Sequence, residues 1–409
     1  MPRVKSFRAL RPTAEQAARI ASVPYDVVNR DEAAELAADN PDSFLHVVRP
    51  DIDFPADANP YAPEVYEKGR SNLQALISEG KLVQDGEPAL FAYRQIMDGH
   101  SQTGVVCCCH VEDYENNLIL KHEKTRQAKE DDRTNHMLAL NAHPGPVFLT
   151  YRDQNDVNHI VAEAVRQDPV YDFTAADGVR HTVWKITDTD DLTRHLSGVP
   201  VFYVADGHHR AASAWRAGAA RRAQNSAHTG DEEYNWFLTV LFPESELSIL
   251  AYNRVVRDTN GLSSEDLVTR LSEVGEMTPT NDPVPASPGT FCILIDGSWW
   301  QLTVPAESID QQDAIASLDV AILEDRVLGP ILGITDVRTD PRIDFVGGIR
   351  GTQELEKLVQ SGKWSVAVSM YPTSIDQLMA VADAGAIMPP KSTWFEPKLR
   401  SGLLVHLME

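Results

Sequence analysis

One segment near the middle of the chain constrains the fold more than any other. The apolar run Val201–Ala205 leads directly into the polar residues Asp206–Arg210, and Ala211–Arg216 then has a helix-forming composition. An apolar run of this length is typical of a buried strand, and Asp-Gly is a turn signal. The order predicts a strand–turn–helix unit of an α/β protein. It also predicts that the backbone amides of Gly207 and His208 lie at a helix N-terminus, where they can bind an anion.

The side chains of this turn suggest phosphate chemistry. Arg210 carries a permanently charged fork of donors, His208 and His209 can donate or transfer protons, and Asp206 can hold a hard cation such as Mg²⁺. In the alternative interpretation, Asp206 only caps the helix and the histidines are ordinary first-turn residues. We favour a site because four polar functional groups occur within five residues after a buried strand.

Charge and composition narrow the class of partner. The 409 residues carry 60 acidic and 37 basic side chains, a net charge of −23. Such a field repels nucleic acid and anionic membranes, so we expect a small-molecule substrate, no nucleic acid and no membrane partner. The sequence contains no apolar run of membrane-spanning length and no apolar signal segment, which predicts a cytoplasmic protein. The oligomeric state stays open.

Four cysteines indicate a reducing compartment. Three are consecutive, Cys107 to Cys109, and the fourth is Cys292. Consecutive residues of a strand point to alternating faces, so these thiols cannot converge on one zinc ion. We expect buried, reduced cysteines that pack as small apolar side chains.

Alternating helical and strand patterns predict an α/β (α+β) fold with a mixed central sheet and flanking helices. We divide the chain into an N-terminal α/β region (1–115), a central phosphate-site region (116–260) and a C-terminal α/β lobe (261–409), or else one intertwined unit. The pattern predicts a hairpin around Asp98-Gly99, which repeats the letters Asp-Gly-His but opens no helix. It also predicts a long helix from Ile309 to Leu328.

A second polar cluster spans Lys121–Arg133. Glu123 lies between basic neighbours, a setting in which a carboxylate stays ionised and can act as a base or a metal ligand. Further anion contacts are expected from Lys124, Thr125, Arg126 and Arg133. A charge run of this kind is also typical of a solvated helix face.

A third cluster lies near the C-terminus, at Met388–Lys398. It has the spacing of a Walker A loop, but Pro390 replaces the second glycine and has no N–H to offer a phosphate, so the segment is not a P-loop. The polar side chains of this proline-rich loop suit a phosphate ligand and a structural loop equally well; they are Lys391, Ser392, Thr393 and Lys398.

A shorter segment, Val23–Val27, presents Tyr25 and Asp26 after a rigid proline. On the residues alone a plain turn at the entry to a strand is the stronger interpretation. If the turn belongs to a site, the Asp26 carboxylate could pair with the ammonium group of an acceptor.

Six ordered segments together resemble the family called domain of unknown function 1015, over nearly the whole chain. These segments are Pro24–Val27, His122–Arg126, Asp131–Arg133, Ala205–Arg210, Asn253–Val256 and Met388–Lys398. The family name supplies no reaction.

The string Asp206–Arg210 is also similar to the phosphate-binding motif of free-serine kinases in the ParB/sulfiredoxin-like superfamily. The resemblance implies a ParB/serine-kinase-like core and transfer of a phosphoryl group from a nucleotide to the hydroxyl of free serine. It places Asp206 and His208 at the metal and phosphates, with His209 and Arg210 completing the site. Glu123 is the nearest candidate for the carboxylate base that such a kinase requires.

We therefore predict a phosphotransferase that uses Mg²⁺ held by Asp206 and Glu123, with ATP, ADP or pyrophosphate as donor and a small metabolite, with free L-serine as the leading candidate, as acceptor. Two alternatives remain open: a phosphatase acting on a small phosphate ester, and a non-catalytic nucleotide-binding protein of the ParB type.

Overall fold

The computed structural model describes residues 1–409 as two compact units. Unit 1 comprises Met1–Leu247 together with the C-terminal segment Pro397–Glu409, and unit 2 comprises Ser248–Glu396. None of the helices combines the length and the apolar character that crossing a bilayer requires.

Unit 1 combines nine α-helices with thirteen strands. The helices are α1 (Ala17–Ile20), α2 (Arg30–Ala37), α3 (Leu45–Val48), α4 (Pro63–Ser78), α5 (Val111–Glu115), α6 (Gln127–Leu140), α7 (Asn155–Ala164), α8 (Asp190–Leu196) and α9 (His208–Gln224). The strands are β1 (Val4–Lys5), β2 (Leu10–Pro12), β3 (Leu82–Gln84), β4 (Leu90–Met97), β5 (His100–His110), β6 (Ile119–Leu120), β7 (Ala142–His143), β8 (Val147–Tyr151), β9 (Tyr171–Thr174), β10 (Arg180–Ile186), β11 (Phe202–Asp206), β12 (Trp236–Pro243) and, at the C-terminus, β21 (His406–Leu407).

Nine of these strands form one sheet in the order β6-β11-β8-β12-β5-β4-β10-β9, with β1 paired to β5. The pairs β6–β11 and β8–β12 are parallel and the others antiparallel. The mixed sheet and flanking helices predicted from the sequence are confirmed. The hairpin around Asp98-Gly99 is also confirmed, since Met97 pairs with His100.

The main hydrophobic core of unit 1 covers one face of this sheet. Alternate residues of the central strands, such as Ala92, Val105 and Cys107, pack there with helices that include α7, α8 and α9. All four cysteines of the chain are buried and free, as expected for reduced, apolar-like side chains.

Unit 2 contains four α-helices and eight strands. They are β13 (Ser248–Leu250), β14 (Tyr252–Val256), α10 (Ser264–Ser272), β15 (Glu276–Pro279), β16 (Thr290–Ile295), β17 (Ser298–Thr303), α11 (Asp319–Leu323), β18 (Ile343–Gly347), α12 (Gly351–Gln360), β19 (Val366–Met370), α13 (Ile375–Asp383) and β20 (Trp394–Glu396). Six strands form an antiparallel sheet in the order β15-β17-β16-β19-β14-β18, and β13 pairs with β20. The additional α/β lobe expected in the C-terminal part of the chain is present.

The two units do not coincide with the three predicted regions (1–115, 116–260 and 261–409). Strand β5 of the first region pairs with β12 of the second, so both contribute to one sheet. Strand β14, placed in the second region, belongs to the sheet of unit 2. Residues after 396 return to unit 1. Long-range strand pairing caused these differences, and it leaves no local signal in the sequence.

The long helix predicted from Ile309 to Leu328 is wrong in extent. The α-helix begins only at Asp319, and Glu324–Leu328 forms a π-helical turn. Asp310 accepts a hydrogen bond from the amide of Gln312, and Asp313 accepts from those of Ile315 and Ala316. Such local side-chain acceptors compete with helical hydrogen bonds, which explains the later start.

Candidate functional site

The strand–turn–helix unit predicted from the sequence is present. Strand β11 ends at Asp206, Gly207 forms the N-cap with φ 93°, and α9 begins at His208. A Cβ atom at residue 207 would lie 3.1 Å from the guanidinium carbon of Arg210. The left-handed backbone therefore favours glycine, and a Cβ atom here would also push the Arg210 guanidinium aside by a few tenths of an ångström.

Parallel pairing brings the second cluster to this turn. Strand β6 runs parallel to β11, so the residues after Leu120 emerge at the same edge of the sheet as Asp206. The Glu123 carboxylate lies 3.6 Å from Nδ1 of His208. The backbone N–H of Arg126 donates to Nε2 of His209 at 3.1 Å. Two segments separated by about eighty residues thus form one cluster.

The charged side chains of this cluster lie around the carboxylate of Asp206. Its carboxylate lies 3.1 Å from the guanidinium of Arg210 and 3.8 Å from the amine of Lys398. Burial by itself would raise the pKa of Asp206, but Lys398, then Arg210 and His208, together with the Gly207 amide, lower that pKa to about 2. The carboxylate is therefore ionised at neutral pH, and it holds two cations at the N-terminus of α9.

Arg210 connects the turn to the segment that carries Tyr25 and Asp26. The Arg210 guanidinium lies 3.7 Å from the Asp26 carboxylate, and it also donates to the carbonyl oxygen of Pro146. Arg49 stabilises this segment, because its guanidinium donates to the backbone carbonyls of Tyr25 and Val28 at 3.2 and 2.6 Å. The turn after Pro24 consequently presents a carboxylate to the site.

The Tyr25 side chain is held by contacts with neighbouring protein residues. Its ring lies under the guanidinium of Arg133, 4.3 Å from the ring centroid. Burial and the nearby Asp26 raise its pKa, so the phenol stays protonated. Arg133 in turn pairs with Asp132 at 2.9 Å and donates to the carbonyl of Val48 at 3.2 Å. Through these contacts Arg133, a residue of α6, supports the turn after Pro24.

The other residues of the second cluster differ in exposure. Lys124 and Arg126 are exposed, whereas the Thr125 hydroxyl donates to the carboxylate of Glu130. Glu130 also pairs with Arg216 of α9 at 3.2 Å. Thr125 therefore helps to fix α6 against α9, and Lys124 and Arg126 are the side chains with freedom to reach a ligand.

Three predicted residues lie in unit 2 and are held by its own contacts. Lys391 has a left-handed backbone with φ 58°, and its carbonyl accepts from Arg254 at 3.0 Å. The Ser392 hydroxyl donates to the Pro389 carbonyl at 2.6 Å, and Thr393 precedes strand β20. Of the four polar residues predicted in the third cluster, Lys398 alone belongs to unit 1, where it contributes to the cluster around Asp206.

The site also contains a residue that the sequence interpretation did not include, His122. Its ring packs edge to face on that of His208, with 4.4 Å between centroids, and both are buried. Burial, followed by the neighbouring His208, lowers the pKa of His122 well below its usual value. The signals available in the sequence were its position beside Glu123 and its place in the segment His122–Arg126.

Three buried nitrogen atoms in the cluster have no hydrogen-bond partner within the protein. They are Nε2 of His208, Nε of Arg210 and Nδ1 of His122. Buried polar atoms are almost always satisfied by protein, water or a ligand. Burial lowers the pKa of His208 to about 3, so its imidazole is neutral at pH 7. Water or a ligand can bond to these atoms.

Two carboxylates could hold a cation here, Asp206 and Glu123. No group of three or more His, Cys, Asp and Glu side chains forms a complete metal cage anywhere in the chain. Mg²⁺ that arrives with a phosphate donor needs only one or two protein carboxylates, because phosphate oxygens and water supply the other ligands. The donor set therefore fits a magnesium–phosphate complex better than a resident metal.

The comparison with solved structures finds only distant similarity. A free serine kinase in complex with AMP aligns at 10% identity and TM-score 0.34, covering 73% of this chain and 91% of the kinase. SbnI with a C-terminal truncation, from Staphylococcus aureus, aligns at 13% identity and TM-score 0.40, covering 74% and 87%. A conserved hypothetical protein from Pyrococcus furiosus aligns at 11% and 0.36, covering 74% and 95%.

The search of curated proteins finds no match. The family model described as "Protein of unknown function (DUF1015)" matches residues 4–321. The match spans the sheet of unit 1, the turn at Asp206 and the first part of unit 2. The chain therefore belongs to the DUF1015 family.

Proposed function

We propose that this protein is a phosphotransferase that moves a phosphoryl group from a nucleotide or pyrophosphate to the hydroxyl of a small metabolite. The observation that carries the proposal is the cluster at the N-terminus of α9. There the Gly207 turn, Arg210 and Lys398 surround the ionised Asp206, and buried nitrogen atoms of His208 and Arg210 lack partners. Phosphoryl transfer depends mainly on positioning and on neutralising charge, and this arrangement can supply both.

The donor phosphates would bind at the helix N-terminus. The backbone amides after Gly207 and the partial positive charge of a 17-residue helix favour an anion at this point. Arg210 and Lys398 add full positive charges, and exposed Lys124 and Arg126 add two more at the rim. Asp206 would hold the Mg²⁺ that accompanies the phosphates and offsets their charge.

Glu123 is the proposed base for the acceptor hydroxyl. Its side chain is 42% exposed, so an acceptor can reach it, and it lies 3.6 Å from the neutral imidazole of His208. Removing the hydroxyl proton as the O–P bond forms would raise the nucleophilicity of the acceptor. Asp26, 35% exposed beside Arg210, is placed to pair with an ammonium group of that acceptor.

Free L-serine is the first acceptor to test, because it carries both a hydroxyl and an ammonium group and because the string Asp206–Arg210 resembles the motif of free-serine kinases. In unit 2, we propose Lys391, Ser392 and Thr393 as phosphate ligands.

Phosphorus NMR provides the direct experiment. The purified protein is incubated with Mg²⁺ and with ATP, ADP or pyrophosphate, each with and without L-serine and a pool of small hydroxyl compounds. A new phosphomonoester resonance that requires the acceptor supports the proposal and identifies the donor. Release of free phosphate without acceptor would instead indicate a hydrolase.

The variant Glu123→Gln separates catalysis from binding. We expect turnover to fall by on the order of a hundredfold or more while donor affinity changes by less than about threefold, because the amide cannot accept the proton. Glu35→Gln, which removes an exposed carboxylate from α2, is the matched control and should retain full turnover. Donor binding without turnover in the wild type, under every acceptor, would favour a nucleotide-binding protein.

A further inference from the structure

A row of buried polar side chains crosses the large sheet of unit 1 on the face opposite the main core. His181 of β10, Gln95 of β4 and Gln102 of β5 are register partners on adjacent strands, and all three are 0% exposed. Tyr93 lies two residues before Gln95 and so shares its face. The alternate residues of β4 and β5, such as Ala92 and Val105, belong to the apolar core.

Buried polar groups are costly unless each finds a partner, so the partners of this row are informative. Gln102 donates to the Gln95 side-chain oxygen at 3.1 Å, and Gln95 donates to the backbone carbonyl of Lys398 at 2.9 Å. Tyr93 and His181 bond to each other at 2.8 Å. Through these bonds the polar row is connected to the C-terminal segment, which belongs to unit 1.

Arg400 forms the second attachment point. Its backbone N–H donates to the hydroxyl of Tyr93 at 3.4 Å, and its guanidinium donates to Nε2 of His181 at 3.0 Å and pairs with Asp177. The segment is therefore held by hydrogen bonds at residues 398 and 400. From there the Lys398 side chain extends toward the site.

The side chain of Lys398 reaches the cluster from this segment. Its side chain is 13% exposed, and its amine lies 3.8 Å from the Asp206 carboxylate. A lysine has four rotatable side-chain bonds, so the location of its amine is determined only if its backbone is fixed. The two attachment points are the backbone carbonyl of Lys398 itself and Arg400, two residues later.

We propose that the polar row of His181, Gln95 and Gln102, with Tyr93 and Arg400, is a positioning device that fixes the Lys398 amine against Asp206. These residues do not touch a substrate; they act through Lys398. The inference rests on the proposed function for the use of that amine in stabilising phosphate charge, but the placement of the amine can be measured without any activity.

The first test measures the reactivity of the Lys398 amine. The folded protein is treated with a limiting amount of an acetylating reagent, and the acetylation rate of each lysine is read by mass spectrometry. Gln95→Leu, of similar size but unable to donate, should raise the rate at Lys398 by about fivefold, the equivalent of one lost hydrogen bond. The control Thr182→Val alters a buried residue of β10 that bonds to Asp172 and should leave the rate unchanged.

An unchanged rate in Gln95→Leu, or an equal increase in Thr182→Val, would overturn the positioning role. If Gln95→Leu does not fold, Gln102→Leu removes only the bond that orients Gln95. A smaller increase, in the same direction, is then expected, and its absence counts against the proposal.

The second test uses calorimetric binding of magnesium pyrophosphate in a double-mutant cycle. We expect Gln95→Leu to weaken binding by about fivefold in the wild-type background and by less than about twofold when Lys398 is already replaced by Met, because the amine being positioned is absent. Equal losses in both backgrounds would show that Gln95 acts in some other way.

Failure of the proposed function has a different signature. If the wild type binds neither pyrophosphate nor ADP nor ATP, the phosphotransferase proposal fails. The acetylation rates still decide whether the polar row fixes Lys398.

Discussion

Two turns in unit 1 contain the same three letters, Asp-Gly-His, and have different structures. At Asp98-Gly99 both residues are left-handed, with φ 51° and 81°, and the turn closes the β4–β5 hairpin. At Asp206-Gly207 only the glycine is left-handed, and the chain enters α9. The difference comes from the downstream sequence, which has strand character after His100 and forms an alanine-rich helical segment after Arg210.

The surroundings of the two glycines differ as much as their backbones. A Cβ atom at residue 99 would meet nothing within 4 Å, whereas one at residue 207 would meet the guanidinium of Arg210. The hairpin turn reverses the chain between two paired strands. The helix turn instead brings charged groups together around Asp206. The same three letters therefore have different surroundings because they join different elements.

The largest expected effect is that of Asp206→Asn. Loss of the carboxylate charge removes the ion pairs of Asp206 with Arg210 and Lys398, and we expect the free energy of unfolding to fall by about 2 kcal/mol and turnover by on the order of a hundredfold or more. The matched change Asp98→Asn should alter stability by less than about 0.5 kcal/mol, since asparagine tolerates the left-handed region. Urea unfolding and turnover assays check both, and equal effects at the two turns would contradict the comparison.

The next effect is that of alanine at the two glycines. Both Gly207→Ala and Gly99→Ala should lose about 1–2 kcal/mol of stability, because alanine is strained at positive φ. Only Gly207→Ala should also weaken donor binding, by about tenfold, since its Cβ displaces Arg210. Calorimetry with pyrophosphate separates the shared strain from the effect on Arg210; unaltered affinity in Gly207→Ala would argue against a site at this turn.

A pH effect is expected from the burial of His208. Its pKa in the folded protein is about 3, below the ordinary value of 6.5, so protons bind preferentially to the unfolded chain. The stability that its neutral form contributes is complete above pH 6.5 and is lost as the pH falls from 6.5 toward 3, by on the order of 1.4 kcal/mol per pH unit. His208→Gln should reduce the slope of unfolding free energy against pH by about that amount between pH 6 and 4; an identical slope would show that the imidazole is hydrated in the native state.

The smallest effect is expected at the rim of the site. Lys124 is exposed, and exposed charges contribute little because solvent screens them. Lys124→Ala should weaken pyrophosphate binding by less than about threefold and should reduce its salt dependence, whereas Lys398→Met should weaken binding by about tenfold. A reversed order would place the phosphates outside the cluster around Asp206.

Local patterns predicted much of unit 1 correctly. The strand that ends at Asp206, the left-handed glycine and the helix from His208 all result from short-range preferences for apolar runs, Asp-Gly turns and alanine-rich segments. The hairpin at Asp98-Gly99 was predictable for the same reason. The helix predicted from Ile309 failed because Asp310 and Asp313 capture nearby amides, an outcome that depends on side-chain geometry.

The site itself was only partly predictable. Glu123 and Lys398 were candidates because of their neighbours, but no pattern could show that one lies 3.6 Å from His208 and the other 3.8 Å from Asp206. His122 was missed, and Arg133 has its donors used by Asp132 and Val48. Burial and partner choice depend on residues far away in the chain.

Short-range patterns in the sequence were enough for several local units: the strand that ends at Asp206, the turn and helix after it, the hairpin at Asp98-Gly99 and the burial of the four cysteines. Only the tertiary structure decided that β6 runs parallel to β11, and that Pro397–Glu409 returns to unit 1 so that Lys398 faces Asp206. Backbone preferences act over a few residues, whereas strand pairing and the burial of charge are settled by contacts between segments up to about three hundred residues apart.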